Sequence, residues 1–287
     1  MAFPSEFFFA LSKVCRGVPM ALTTMLFVPA DRPERFEKAA ASTADAIVLD
    51  LEDAVSPENK EIARANIVKA ILDKRTFVRV NPVQTDLFHD DLVALARAGC
   101  LNIMLPKAET TWELESVAAA LGEDITVIPL IETAVGLDNA RELAAHRTVP
   151  FLAFGSLDFA LDMGCEHTQD ALRFARQTLV FASRLAQKAG PIDGVTVAID
   201  DYDHIKADAI EARHLGFAGK LVIHPKQLAA VADAFRPSDA EVAWATQVVE
   251  AVAANGTQAA KINGQMIDKP VISRAERILL RSSPNRG

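Results

Sequence analysis

Two acidic residues stand just after two neighbouring apolar runs in the middle of the chain. Glu132 closes the run VIPLI, and Asp158 lies just past the run FLAF. Each run is too short for a helix and is interpreted as a buried strand. Acids at the ends of successive strands can converge, and Mg²⁺ prefers oxygen ligands held on rigid elements. The stretch from Thr126 to Gly164 therefore predicts a magnesium site, although either acid alone could instead cap the helix that follows it.

A basic residue lies inside another apolar run, FVRVN. An unpaired buried charge is costly, so Arg79 must either form an ion pair with Asp50 or Glu52 or clamp a substrate carboxylate with its planar guanidinium. Glu52 and Asp53 are candidate acceptors for metal-bound waters or for Arg79 itself. The sequence leaves both interpretations of Arg79 open. Glu52 is a candidate catalytic residue.

Further basic residues follow two other strand-like runs. Lys107 ends NIMLPK and is interpreted either as a substrate-binding residue at the same edge or as an ordinary surface lysine. Arg32, Arg35 and Lys38 lie at the start of the first helical stretch, either as a solvated helix face or as a lip that binds phosphate groups.

The elements that must position these residues follow a regular alternation. Helical signals separate the apolar runs, among them capping boxes at Thr110 to Glu113 and Ser238 to Glu241. The eight runs are MLFVP, AIVLDLE, FVRVN, NIMLPK, TVIPLIE, FLAFG, IDGVTVAI and GKLVIHP. Eight strands alternating with helices predict an α/β fold of the (β/α)8 TIM barrel type, whose active sites lie at the carboxyl ends of the strands. A doubly wound sheet is the competing fold, but its glycine-rich nucleotide fingerprints are missing.

The predicted organisation has three parts. Residues 1–22 form an amino-terminal extension with an apolar patch that lacks the basic start of a signal peptide. Residues 23–254 form the catalytic barrel. Residues 255–287 are polar and then weakly helical, and they form a carboxyl-terminal lid segment.

Composition excludes several classes of protein. The chain has 287 residues, half of them hydrophobic, and a formal net charge of −8. This charge argues against a nucleic-acid-binding protein, which usually carries a basic face. No apolar run approaches the roughly 18 residues of a membrane span. The three cysteines form no CxxC pair, so a reduced, cytoplasmic setting is expected.

The motifs taken together resemble those of a known family. MLFVPADRPERFEKA, AIVLDLEDAV, FVRVNP, IMLPKAE, PLIETAVGL, FGSLDFALDMG and GFAGKLVIHPKQ occur in this order. This order is similar to that of the CitE-like branch of the HpcH/HpaI aldolase family, which includes citrate lyase β subunits and malyl-CoA and citramalyl-CoA lyases. The resemblance covers almost the whole chain.

The resemblance implies a reaction and roles for particular residues. The reaction is the Mg²⁺-dependent, reversible cleavage of a carboxylated 3-hydroxyacyl-CoA to an acyl-CoA and a 2-oxo acid. Glu132 and Asp158 would hold the metal, Arg79 would bind the substrate carboxylate, and the segment from Arg32 to Lys38 would face the coenzyme A phosphates. Family members are commonly homotrimers with a lid that covers a neighbour's active site, and the motif GQMIDKPVISRAERIL places Asp268 as the lid's general acid/base.

Three alternative functions remain open on the sequence alone. A citrate lyase β subunit would act on an acyl-carrier-protein thioester, and a CoA-independent pyruvate aldolase would not need the segment from Arg32 to Lys38. A catalytically idle scaffold subunit is disfavoured, because Glu132, Asp158 and Arg79 are all retained.

Overall fold

Eight parallel strands close into a barrel, as the sequence predicts. The structure is a computed structural model, and it describes residues 22–70, 75–255, 261–262 and 265–282. The predicted amino-terminal extension therefore lies almost wholly outside the described residues. The barrel strands are β1 Thr24–Pro29, β2 Ala46–Asp50, β3 Thr76–Arg79, β4 Asn102–Leu105, β5 Thr126–Ile131, β6 Ala153–Phe154, β7 Ile192–Asp193 and β8 Gly219–Val222. The barrel closes because β1 pairs with both β2 and β8.

Helices follow the strands around the barrel, and both capping boxes predicted from the sequence are present. Short 3₁₀ turns at Pro33–Arg35, Pro57–Asn59 and Pro225–Gln227 precede three of the helices. The α-helices are α1 Phe36–Ala40, α2 Lys60–Lys69, α3 Leu87–Ala98, α4 Thr111–Leu121, α5 Ala134–Asp138, α6 Ala140–Ala145, α7 Ser156–Met163, α8 Gln169–Leu185, α9 Tyr202–Leu215, α10 Leu228–Phe235, α11 Asp239–Asn255 and α12 Lys269–Ser282.

Apolar side chains from all eight strands pack together inside the barrel. Since successive side chains of a strand alternate in direction, this packing fixes which residues face inward. The inward set includes Met25, Ala46, Val48, Phe77, Met104, Ile128, Leu130, Ala153, Ile192 and Leu221. The same alternation, continued to the carboxyl ends of the strands, aims the next side chains of the inward set at the mouth of the barrel.

A buried group of charges lies on the outer side of β7 and β8. Asp193 and Lys220 alternate with inward-facing residues and therefore project toward the helices. Asp193 accepts two hydrogen bonds from Arg176 of α8, at 3.1 and 2.9 Å, and one from Lys220 Nζ at 2.9 Å. Lys220 Nζ also lies 2.8 Å from Asp208 of α9. These ion pairs attach both helices to the barrel wall.

The chain divides into two compact units, one ending at Ala232 and the other starting at Asp233. In the second unit, α11 and α12 pack through a small apolar cluster that includes Ala245, Val248 and Ala275. This unit starts earlier than the lid segment predicted at 255–287, because α11 shares its apolar contacts with α12. In the described part of the chain, no helix combines the length and apolarity of a membrane span.

Candidate active site

Charged side chains occupy the inward-facing positions at the carboxyl ends of three strands. Asp50 comes two residues after the inward-facing Val48, Arg79 two residues after Phe77, and Glu132 two residues after Leu130. The register pairs Asp50 directly with Arg79 across β2 and β3. All three side chains are buried. The barrel geometry thus gathers the predicted residues at its carboxyl-terminal mouth.

Arg79 is held by three carboxylates. Its Nε and Nη2 donate to the two oxygens of Asp50 at 2.7 and 2.6 Å. Its Nη1 lies 2.9 Å from Glu52 Oε2 and 3.2 Å from Asp53 Oδ2, and the guanidinium stacks 4.8 Å above the centre of the Phe27 ring. The predicted ion pair therefore exists. Because Asp50 takes Nε and one N–H of Nη2, and Glu52 and Asp53 lie against Nη1, a substrate carboxylate would have to approach the remaining N–H groups at the Nη1 and Nη2 end.

Asp50 also fixes the loop that follows its own strand. Its two oxygens accept the backbone N–H groups of Glu52 at 2.9 Å and Ala54 at 3.0 Å, in addition to the two bonds from Arg79. Four charge-assisted hydrogen bonds saturate this carboxylate. Asp50 therefore holds both Arg79 and the loop that carries Glu52.

Glu132 is 2% exposed, and one of its oxygens accepts the backbone N–H of Lys107 at 2.9 Å. Burial raises the pKa of Glu132 to about 8, and the neighbouring Glu52 raises it further than Arg79 lowers it. A Cβ atom at Gly155 would lie 2.3 Å from the Glu132 carboxylate. The glycine that follows β6 thus leaves room for this side chain.

Lys107 contacts three of the acidic residues at the mouth. Its backbone binds Glu132, and its ammonium lies 3.8 Å from Glu52 and 3.9 Å from Asp158. Partial burial opposes its charge, but Glu52, Glu132 and Asp158 outweigh that effect and raise the pKa of Lys107. Its φ of 48° lies in the left-handed region, which is uncommon for a residue with a side chain and is found at functional sites.

Glu52 is a second buried acid with an altered proton affinity. Burial raises its pKa to about 7, against the opposing charge of Arg79 and together with the like charges of Asp53 and Asp50. A carboxyl group that titrates near neutral pH suits proton transfer. The structure thus places Glu52 beside Arg79 and Lys107 in a form that can exchange protons.

Glu132 and Asp158 are the residues that could hold a cation. Asp158 lies in the first turn of α7, with its side chain 36% exposed. Among the described residues, no three His, Cys, Asp or Glu side chains are clustered so as to hold a metal by themselves. A cation at this mouth would therefore need water or substrate oxygens to complete its coordination, as Mg²⁺ does in most enzymes.

The remaining predicted residues lie elsewhere. Arg32, Arg35 and Lys38 are exposed and follow β1, around the 3₁₀ turn and α1 at the same end of the barrel. Asp268 belongs to the second unit, where it is exposed and accepts the Val271 N–H at 3.1 Å as the cap of α12.

Two residues of the site could not be found from the sequence. Lys60 is buried beneath the loop that carries Glu52, although its place at the start of a polar helix resembles that of a solvated lysine. Gly155 matters because of its distance to a side chain from another strand. Neither residue has a local sequence signal.

A barrel with buried acids and an arginine at its carboxyl-terminal mouth belongs to the class of TIM-barrel enzymes. The model of the HpcH/HpaI aldolase/citrate lyase family matches residues 23–225. The chain belongs to this family of carbon–carbon lyases, as its motifs indicate.

Several relatives are similar over nearly their whole length. A citrate lyase subunit beta-like protein of Deinococcus radiodurans is 35% identical, over 91% of this chain and 97% of its own. A (3S)-malyl-CoA thioesterase of Cereibacter sphaeroides is 34% identical, over 90% and 94%. The crystal structure of CitE from Mycobacterium tuberculosis with magnesium, acetoacetate and coenzyme A has a TM-score of 0.83 and 36% identity, covering 91% of this chain and 98% of that one.

Proposed function

We propose that this protein is a Mg²⁺-dependent lyase that cleaves or forms a carboxylated 3-hydroxyacyl-CoA such as malyl-CoA or citramalyl-CoA. The products of cleavage would be an acyl-CoA and a 2-oxo acid, glyoxylate or pyruvate. The observation that carries the proposal is the gathering of Glu132, Glu52 and Arg79, all buried, at the mouth of a barrel of this family. The M. tuberculosis relative has been crystallised with magnesium and pyruvate as well as with coenzyme A, which supports this substrate class.

The donor set fits magnesium. Glu132 has an oxygen besides the one bonded to Lys107. Burial first, and then repulsion from Glu52 and Asp158, raises the pKa of Glu132 in the absence of a cation. A divalent ion would relieve that repulsion. Glu132 and Asp158 would hold it, and when bound it would act as a Lewis acid toward the substrate carbonyl or alkoxide.

Arg79 and Glu52 carry the chemistry of the 2-oxo acid half. The Nη end of Arg79 binds the carboxylate and stabilises the alkoxide that forms at the hydroxyl carbon. Asp50 keeps the guanidinium in one orientation while it does so. Glu52 accepts the hydroxyl proton in the cleavage direction, for which a pKa of about 7 is well suited.

The acyl-CoA half depends on residues outside this cluster. As the carbon–carbon bond breaks, its electron pair passes to the thioester α-carbon, and Asp268 delivers a proton there. We propose that Asp268 comes from a neighbouring subunit of a homotrimer, whose lid excludes water. Arg32 and Lys38, both exposed beside the mouth, bind the coenzyme A phosphates.

The test is a panel of malyl-, citramalyl-, methylmalyl- and hydroxymethylglutaryl-CoA assayed with Mg²⁺ and with a chelator. We expect Mg²⁺-dependent release of a 2-oxo acid together with an acyl-CoA. Replacement of Glu132 or Asp158 by alanine should abolish this activity in a folded protein. Full turnover in the chelator would contradict the metal assignment.

A thioester hydrolase is a second candidate, because a relative at 34% identity is a (3S)-malyl-CoA thioesterase. Hydrolysis would release free coenzyme A and malate instead of acetyl-CoA and glyoxylate, so the same panel separates the two reactions. Activity only on acyl-carrier-protein thioesters would favour a citrate lyase β subunit, and activity on free hydroxy acids would favour a pyruvate aldolase.

A further inference from the structure

Lys60, at the start of α2, donates hydrogen bonds from its buried ammonium group to three acceptors within the protein. The residue is 7% exposed. Its Nζ donates to Leu51 O at 2.6 Å, to Glu52 O at 2.8 Å and to Asn81 Oδ1 at 2.8 Å. An ammonium has three N–H donors, so these contacts satisfy it completely.

The three acceptors lie on the two strand ends that build the 2-oxo acid site. Leu51 and Glu52 directly follow β2, and Asn81 follows β3 by two positions. The N–H groups of Glu52 and Ala54 bind the Asp50 carboxylate, while the carbonyls of Leu51 and Glu52 bind Lys60. The loop is thus held by its amides on one side and by its carbonyls on the other, which leaves its peptide groups a single orientation.

The other acceptor of Lys60 is itself rigid. The Asn81 side chain donates to Asp91 Oδ2 at 2.7 Å and to Leu51 O at 3.1 Å. Asp91 is paired with Arg64 at 3.2 Å, and Arg64 lies four residues after Lys60 on the same face of α2. The helix therefore delivers two cations into one connected network beneath the loop.

All three acceptors of Lys60 are neutral, which distinguishes it from an ordinary buried ion pair. Burial opposes the charge and lowers the pKa of Lys60, although Asp50, Asp91 and Glu52 act in the other direction. An apolar side chain would fill the same space without this desolvation cost. A cation held on two consecutive carbonyls instead fixes a backbone.

We propose that Lys60 is a positioning residue for the 2-oxo acid site. By fixing the backbone of residues 51 and 52, it sets the Glu52 carboxylate against Arg79 and so keeps the Nη end of Arg79 in place for the substrate carboxylate. This inference rests on the proposed function, and Lys60 itself touches no substrate.

The test compares Lys60→Met and Lys60→Gln with the matched control Lys69→Met, an exposed position on the same helix. Three quantities are measured: hydrogen–deuterium exchange of the amides of residues 51–55, pyruvate binding in the presence of Mg²⁺, and the separate KM values for the 2-oxo acid and the acyl-CoA. If Lys60→Met does not fold, Lys60→Gln carries the test.

We expect faster exchange at residues 51–55 in the Lys60 variants. The 2-oxo acid KM and the pyruvate Kd should rise about tenfold, which is the low end of the effect of residues that orient a binding side chain without contacting the ligand. The acyl-CoA KM should stay near that of the wild type, as should every property of Lys69→Met. Unchanged exchange, or a 2-oxo acid KM and a pyruvate Kd that both stay at the wild-type values, would overturn the inference. A wild type that neither binds pyruvate nor turns over counts against the proposed function, and the exchange data then decide whether Lys60 fixes the loop.

Discussion

Asp50 and Glu132 are both buried carboxylates at strand ends, but their surroundings differ. Asp50 accepts four hydrogen bonds, two of them from Arg79. Glu132 accepts one from a backbone amide, and burial together with the like charges around it raises its pKa to about 8. Asp50 therefore stabilises the fold, whereas the ionised form of Glu132 destabilises the fold in the absence of a cation.

Replacing Glu132 with glutamine should stabilise the metal-free protein. The ordinary pKa of a glutamic acid is 4.5, and that of folded Glu132 is about 8. Between these values the unfolded state binds fewer protons at position 132, so the contribution of Glu132 to the free energy of unfolding falls as the pH rises and is level above about 8. Glu132→Gln should remove this slope and gain roughly 1 to 4 kcal/mol at pH 8.

Urea unfolding in a chelator at pH 5, 6.5 and 8 measures this effect. With Mg²⁺ added, the wild type should gain stability and Glu132→Gln should not. A variant that is less stable than the wild type at pH 8 in the chelator would contradict the account of Glu132.

Replacing Arg79 with lysine should damage both stability and binding. One ammonium cannot span the two oxygens of Asp50 while also reaching Glu52. We expect the free energy of unfolding to fall by about 2 kcal/mol, the value of one hydrogen bond between charged groups. The 2-oxo acid KM should rise by at least about tenfold, as expected for a lost bidentate contact. Arg97→Lys, at an exposed position of α3, is the control in urea unfolding and in kinetics and should match the wild type.

The sequence predicts the chemistry of residues better than their partners. Glu132, Arg79 and Glu52 stand out because charges at the ends of apolar runs are conspicuous. The choice between ion pair and substrate clamp for Arg79 could not be made, because it depends on which edge of the guanidinium faces Asp50. Lys60 was missed because two of its three acceptors are backbone carbonyls, which no sequence pattern reveals.

At the level of elements, the residue that follows β6 controls the space available to the acid that follows β5. Gly155 lies against the Glu132 carboxylate, and a methyl group there would meet it at 2.3 Å. Gly155→Ala should therefore displace Glu132 and lower Mg²⁺ affinity by at least about tenfold, as for other residues that orient metal ligands, in a protein that still folds.

The control for this change is Gly99→Ala. Gly99 ends α3 with a φ of 64°, and a Cβ there meets nothing within 4 Å. Its replacement should cost about 1 kcal/mol of backbone strain and leave Mg²⁺ binding unchanged in calorimetric titrations. Equal Mg²⁺ affinities for Gly155→Ala and the wild type would show that the contact does not matter.

The order of elements was predictable because each strand here is a continuous apolar run between helix signals. All eight strands lie where they were expected. The strand lengths were not predictable: β6 and β7 shrink to two residues, since ladder length depends on the neighbouring strands. The partition of the tail also depends on tertiary contacts, because α11 packs with α12.

For the whole molecule, the proposed trimer can be tested by mixing inactive variants. If Asp268 acts in a neighbour's site, Glu132→Gln and Asp268→Asn subunits complement each other. Random reassembly of equal amounts should restore roughly a quarter of the wild-type activity, since a site in a cyclic trimer needs one intact barrel and one intact lid.

The matching control mixes Glu132→Gln with the Glu132→Gln/Asp268→Asn double variant, which should remain inactive. Size-exclusion chromatography with light scattering would establish the oligomeric state of each mixture. No recovery in the first mixture, despite exchange of subunits, would assign Asp268 to its own chain or remove it from the reaction.

The group of charges on the outer side of β7 and β8 limits which substitutions this protein can accept during evolution. Arg176, Asp193, Lys220 and Asp208 share one network of ion pairs. Loss of one partner leaves a charge without its counter-ion, whereas joint replacement by apolar residues is tolerated. Substitutions at these positions should therefore appear together among descendants. In a deep mutational scan, single changes at the four positions should be depleted, and a variant with apolar residues at all four should recover.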